Sequence, residues 1–367
     1  MARKRVVIAG LGDTGVLTAI RLARRFDVVG VSSQPGLFSG QELGVRITRP
    51  AEWAHDYWTT FDRFRGLDRV RTIAARITGL DVTDRTLVGE HPDGSALTAP
   101  YDALVIATGV TNGFWRQPDL RTVDAIEANL RDVNARFATG QSVIVIGGGA
   151  AAVSAAANVA ATWPDKKVDI YFPHQRALLT HHPKVWNKLH DRLIALNVGV
   201  HPGHRADPAG ETDSLGAGRV QWSTGQPPAS ADVVLWAIGR VRPNTGWLPT
   251  EVLDEGGFVR VEPDLSVSGH DGVFAIGDVA ATDPLRSSAR NRADGLLARN
   301  IRAYFDGRQL RPYRPAEHRW GSVIGVQPNG LEVFTPGGRS VRFPVWSIDR
   351  VLQPWIVKRG IYRGVRR

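Results

Sequence analysis

Two glycine-rich turns and one Gly-Asp pair carry most of the chemistry this chain can do. Gly10-Leu11-Gly12-Asp13-Thr14-Gly15 follows the β-rich run Val6–Ala9 and opens a helical apolar face made of Val16, Ala19, Ile20, Leu22 and Ala23. A strand, a GxGxxG turn and a helix in that order suit a dinucleotide. Gly10 permits the tight turn, Gly12 lets a pyrophosphate approach the backbone, and Gly15 lets helix and strand close up. The helix start, with Asp13 and Thr14, turns its amides toward the phosphates. The pattern returns 137 residues later as Gly147-Gly148-Gly149-Ala150-Ala151-Ala152, a GxGxxA turn between the strand Ser142–Ile146 and an Ala-rich helix. Gly277-Asp278 ends another apolar run, Gly272–Ile276. A carboxylate there can hold a sugar-like hydroxyl, although alone it is equally an ordinary helix cap.

These turns need strands and helices to position them, and the chain supplies both in alternation. Val168–Phe172 arrives where a βαβ unit requires its second strand. Tyr101–Ile106 is a buried strand ending in Ala107-Thr108-Gly109, and Val233–Gly239 is its near copy. A helix over Ala289–Phe305 follows Asp278. The order predicts an α/β fold with two Rossmann-like dinucleotide-binding domains, the second inserted in the first. Expected boundaries are 1–112 with 256–312 for the first domain, 113–255 for the second, and a small β-containing region over 313–367. The hairpin in that region turns at Pro328-Asn329-Gly330. Trp53, Trp58, Phe61 and Phe64 recur at helical spacing and are read as packing in a helical excursion.

Other chemistries are excluded. With no Cys among 367 residues, disulfides, thiol nucleophiles, iron–sulfur clusters and dithiol relays cannot form. His181-His182 lack metal-ligand spacing, so no metal is expected, and neither GxSxG nor HExxH occurs. No side chain stands out as a catalytic acid or base. The net charge is +10, and 40 of the 46 basic residues are Arg. That excess fits phosphate-bearing ligands, anionic lipid or a codon bias; without a base-reading motif, nucleic acid is not expected. Met1–Phe26 imitates a signal peptide but lacks a cleavage site. Gln141–Pro164 is uncharged and long enough for a membrane span, yet a buried strand–turn–helix explains its three glycines better. A cytoplasmic-type body is expected.

In this order the four motifs resemble the two-dinucleotide-binding flavoproteins, the pyridine nucleotide oxidoreductases, over roughly residues 5–305. Without a redox Cys pair, the pattern is similar to type II NADH dehydrogenases and the ferroptosis-suppressor and apoptosis-inducing-factor-like quinone reductases. The resemblance implies FAD on Gly10, Gly12, Asp13, Thr14, Gly15, Ser32, Ser33, Ile77, Thr108, Gly109, Gly277 and Asp278. It implies NAD(P)H on Gly147, Gly149, Ala150, Ala152 and Gly239, with His174 and Arg176 at the tip of the second strand. A hydride would pass from nicotinamide to flavin, and electrons onward to a quinone-like or other small acceptor. A soluble reductase serving a redox protein or dioxygen, or a nucleotide-binding protein without turnover, are the other readings. A homodimer is expected by resemblance only.

Three departures stand out. Strand two of the first unit ends at Ser32-Ser33, where an acid normally grips the adenosine ribose, and the nearest acid is Glu42. Val153-Ser154 stands where close relatives carry x-Glu. Phe172-Pro173-His174-Gln175-Arg176 has no acid at its tip, so its base either favours a 2′-phosphate, and hence NADPH, or is a solvated loop residue. The tail Val351–Arg367 mixes bases with Trp355, Ile356 and Tyr362. It suits an anionic membrane surface, peripheral on the inner face of the cell membrane; the other reading packs its apolar residues on the FAD domain.

Overall fold

Alternate residues of the first strand, Arg5–Ala9, enter different cores. Val6 and Ile8 join the apolar cluster under the helices Asp13–Leu22 and Ala293–Phe305, whereas Val7 and Ala9 join one containing Leu87, Leu97 and Ala99. Period-two alternation produces this split, and burial on both faces explains why the run is apolar throughout. The computed structural model describes residues 3–38, 42–208, 212, 214–239, 241–282, 293–315 and 318–366. In it the strands Val273–Ala275, Ala103–Ile106, Arg5–Ala9, Asp27–Ser32 and Val70–Ala74 lie side by side in that order, all parallel. An antiparallel meander, Arg76–Asp81, Thr86–Glu90 and Ala96–Pro100, supplies the second of those cores.

The second sheet repeats the logic. Gly199–Pro202, Lys167–Phe172, Ser142–Ile146 and Ala229–Trp236 run parallel, then Leu215–Trp222 and Ala206–Asp207 continue antiparallel. Val143 and Val145 pack under the helices Ala150–Thr162 and Pro183–Ala195, while Ile144 and Ile146 meet Tyr171, Val220 and Trp222. The stretch from Gln141 is thus a strand, a glycine turn and a helix. Among the described residues no helix is long and apolar enough to cross a membrane. The helix after Asp278 is described over Ala293–Phe305; residues 289–292 of the expected helix lie outside the described residues.

Two expectations need correction. The excursion is α-helical over Pro50–Tyr57 and forms a 3₁₀ turn over Phe61–Arg63, but Trp58–Thr60 between them is a strand paired with Gly36–Phe38, with Trp58 opposite Phe38 and their rings stacked at 5.7 Å. Aromatic and β-branched residues favour that pairing once a partner strand is present. The packing role holds, with Trp53, Trp58 and Phe64 buried. The tail also divides. After the hairpin Val326–Gln327/Gly330–Phe334, whose turn is Pro328-Asn329, a π-helix runs over Ile348–Ile361. Val351, Trp355 and Ile356 on it are exposed, but Tyr362 is buried edge-on against Phe64, and its hydroxyl donates to Asp13 Oδ1 at 2.9 Å. Val365 bridges to Phe64, and Arg366 pairs with Asp68. Tyr362 therefore belongs to the core, not to an interface; Arg367 lies outside the described residues.

Candidate functional site

Close backbone contacts bring the turn Gly10–Gly15, Ala107-Thr108-Gly109 and Gly277-Asp278 together. Gly10 has φ +98°, and a Cβ there would sit 2.5 Å from Ala107 O; at Gly15 it would meet Gly10 O at 2.1 Å. At Gly277, φ +80°, a Cβ would sit 2.6 Å from Thr14 Oγ1. By contrast nothing stands within 4 Å of the Cβ position of Gly12, the N-cap of the first helix, which has no side-chain cap. Helix amides here face open space.

That space is a cavity of about 760 Å³. Its walls include Gly10, Gly12, Asp13, Thr14, Ser32, Ser33, Ile77, Thr108, Gly109, Gly277 and Asp278, so eleven of the twelve positions expected for FAD converge. Gly15 is the exception: it serves helix–strand packing. Glu42 is not on these walls; it lines a separate small cavity with Tyr57 and Gln353. Asp278 is buried, its Oδ2 paired with Arg116 Nη1 at 2.7 Å and its Oδ1 buried without a protein hydrogen-bond partner. An uncapped helix start for phosphates and a buried, half-satisfied carboxylate for hydroxyls suit a flavin dinucleotide.

Residues the motifs did not reveal complete the walls. Arg46 is buried, stacks over Trp53 at 4.8 Å and donates to Trp115 O at 2.9 Å. Burial, then the charge of Arg121, lowers its pKa to about 10, so it stays cationic at neutral pH. With Arg76, Arg116 and Arg121 also on the walls, the cavity attracts an anionic ligand. Asn244 accepts from the hydroxyls of Thr108 and Thr111 and donates to Thr108 O, stitching the Ala-Thr-Gly turn to Arg242–Pro243. A basic residue set among the apolar Leu43, Val45 and Ile47 was the one available signal, at Arg46. Arg116 and Asn244 carry none.

On the second sheet, Gly147 has φ +138° with a Cβ position 2.0 Å from Ala237 O, and Ala152 is fully buried. Gly149 is open, Ala150 starts the helix, and Gly239 is exposed at φ +70°. His174 is exposed, while Arg176 points back at the carbonyls of Leu178 and Leu179. Ser154 is buried, its Oγ accepting from Gly44 N at 3.2 Å, and a Cβ on Gly44 would meet Ser154 O at 2.1 Å. The helix Leu43–Thr48 therefore lies directly on Ser154, the position where the resemblance leads one to expect Glu.

His181 borders this region, 5% exposed. Burial, followed by Arg319, Arg176 and His318, pushes its pKa down to about 4. Its folded pKa lies below the ~6.5 of an unfolded chain, so this contribution is complete above pH 6.5 and is lost as pH falls toward 4. Acid should cost about 3 kcal/mol from this group. Melting temperatures of His181→Leu should fall less steeply over that window; an unchanged slope would assign the acid sensitivity elsewhere.

The family model described as Pyridine nucleotide-disulphide oxidoreductase matches residues 4–298. Over 336 residues the chain is 27% identical to the oxidoreductase ptaL of Pestalotiopsis fici, spanning 85% of this chain and 86% of that protein. It is 25% identical over 321 residues to the type II NADH:quinone oxidoreductase NdhA of Mycobacterium tuberculosis, spanning 76% of this chain and 66% of the other. The fold is similar to that of a ferredoxin reductase from Rhodopseudomonas palustris, with a TM-score of 0.63 and 22% identity over 90% of this chain and 88% of that one.

Proposed function

The chain belongs to the pyridine nucleotide-disulphide oxidoreductase family, and from that footing we propose that it passes electrons from NAD(P)H to a quinone-like acceptor at a membrane face. It is an oxidoreductase flavoprotein whose cofactors are FAD and NAD(P)H. Lacking Cys, it has no disulfide to reduce, so the acceptor is not a thiol pair of its own. The chemistry FAD supplies when bound is the acceptance of a hydride and its release as electrons.

The observation that carries this reading is the convergence of three glycine motifs on one cavity around Asp278 Oδ1. In it the amides after Gly12 hold phosphate, Asp278 accepts hydroxyls of the ribityl chain, and Arg46 and Arg116 balance the charge. The turn at Gly147, Gly149 and Ala152 holds the nicotinamide coenzyme, Arg176 and His174 standing at its 2′ end. We assign 1–112 with 256–312 to FAD, 113–255 to NAD(P)H and 313–367 to a C-terminal unit.

Stopped-flow mixing with NADH and NADPH in turn should bleach flavin absorbance with at least one of them, and menaquinone should restore it far faster than air. Bleaching by neither would leave a binding protein without turnover. Equal recovery in air would favour an oxygen-reducing or soluble reductase. NdhA, whose name specifies a quinone, supports the acceptor class.

An exposed apolar patch supports the membrane face. Trp346 is 62% and Trp355 58% exposed, with Val345, Val351 and Ile356 beside them in the sequence and Arg359 stacked over Trp355 at 4.8 Å. Apolar surface together with bases is what interfacial binding requires. Because Tyr362 and Val365 pack on the first domain, truncating the tail would damage the fold. The combined Trp355→Glu and Ile356→Glu variant tests the surface alone. It should lose cosedimentation with anionic liposomes while keeping its flavin. Unchanged cosedimentation would remove the membrane assignment.

A further inference from the structure

The adenosine end of the cavity lacks the acid that grips a ribose, and a segment from elsewhere crosses it. Ser32 Oγ accepts Gln34 N at 3.1 Å. The strap 112–121 leaves the Ala-Thr-Gly turn, reaches Asp278 through Arg116, and returns to the end of strand two. There Arg121 N donates to Ser33 O at 3.0 Å, and Gln34 Nε2 donates to Asp119 O at 2.7 Å.

Three described residues on the cavity walls are acidic: Asp13, Asp119 and Asp278. Asp13 accepts the Tyr362 hydroxyl on the first helix, and Asp278 pairs with Arg116 at the Gly-Asp pair. Asp119 is the one held beside Ser33 and Gln34. Its side chain is 66% exposed, and its Oδ2 lies 3.8 Å from Arg121, whose guanidinium is fixed by Gln117 Oε1 at 2.7 Å. A carboxylate so placed is free to accept hydroxyls, because the tie to Gln34 uses the Asp119 backbone carbonyl instead.

We propose that Asp119 supplies the ribose-gripping carboxylate absent from strand two, so that a crossing strap performs what a strand end performs elsewhere. The proposal rests on the assignment of this cavity to FAD. A vicinal diol meeting a carboxylate makes charge-assisted hydrogen bonds, which exceed those a Ser hydroxyl could offer.

FMN lacks the adenosine half, and so separates this role from a general effect on the cavity. Affinities of the full-length protein for FAD and FMN can be read from quenching of flavin fluorescence. Asp119→Asn keeps the backbone contact to Gln34. It should weaken FAD roughly 10- to 100-fold and leave FMN unchanged. Adding Ser33→Glu to Asp119→Asn should restore FAD binding, since it returns the acid to the strand end. Equal weakening of FAD and FMN would make Asp119 a strap residue only and overturn the proposal. So would unaltered FAD affinity in Asp119→Asn. Absence of FAD binding by the unsubstituted protein would instead sink the FAD assignment itself.

Discussion

Asp278→Ala protein should emerge from purification colourless yet folded. The carboxylate is 5% exposed, its Oδ2 pairs with Arg116 Nη1 at 2.7 Å, and its Oδ1 is buried without a protein partner. A buried acceptor left unmatched by the protein is one reserved for a ligand or water, and ribityl hydroxyls match it. Removing it deletes charge-assisted hydrogen bonds worth about 1.5–3 kcal/mol each, so flavin affinity should fall roughly 100-fold or more. The effect on folding should be small, because Arg116 is 40% exposed and can turn to solvent when its partner is gone. Absorbance near the flavin maximum gives the FAD-to-chain ratio, and far-ultraviolet circular dichroism reports the fold. Flavin retained at the unsubstituted ratio would place the ribityl chain elsewhere. In contrast to Asp119→Asn, this substitution should weaken FMN as much as FAD.

Gly147→Ala should be the most destabilising single methyl in the second sheet's turn. The backbone sits at φ +138°, and the new Cβ would lie 2.0 Å from Ala237 O, a carbonyl whose own amide bonds Ile146 O. Both atoms are backbone at the ends of paired parallel strands, so relief requires separating Ser142–Ile146 from Ala229–Trp236. Strain of this kind combined with lost pairing costs about 3–5 kcal/mol. Gly149→Ala is the control. No atom lies within 4 Å of its Cβ position, so the melting temperature should barely move, but the methyl would project where a pyrophosphate must approach. That variant should be reduced slowly by NAD(P)H while remaining yellow. Chemical denaturation of Gly147→Ala within about 1 kcal/mol of the unsubstituted protein would show that the turn relaxes. Undiminished reduction of Gly149→Ala would move the coenzyme off this turn.

What could be read from residue order alone follows from local rules. A strand–glycine–helix turn needs only its own residues to define its geometry, which is why Gly10, Gly147 and Gly277 adopt positive φ where the motifs require it. The hairpin at Pro328-Asn329 and the apolar strands buried on both faces are legible for the same reason. Trp58 was less so. Its spacing fits a helix, and only the pairing of Gly36–Phe38 with Trp58–Thr60 makes it a strand residue. The tail is similar: Tyr362 has interfacial composition, but Phe64 and Asp13 claim it.

The amino-acid order by itself determined the two dinucleotide turns, the absence of thiol chemistry and the position of Asp278. Tertiary structure decided what surrounds them. Arg46, Arg116, Asp119 and Asn244 reach the cavity from a helix, a strap and the bend after Arg242–Pro243, and beyond the basic Arg46 among apolar neighbours nothing local announces that destination. Ser154 reads in the sequence as a missing carboxylate, whereas in the fold it is a small residue under a helix that Gly44 allows to lie within hydrogen-bond distance. Hydrogen bonds and close contacts between distant segments depend on where the chain brings them together, and one-dimensional spacing holds no record of that meeting.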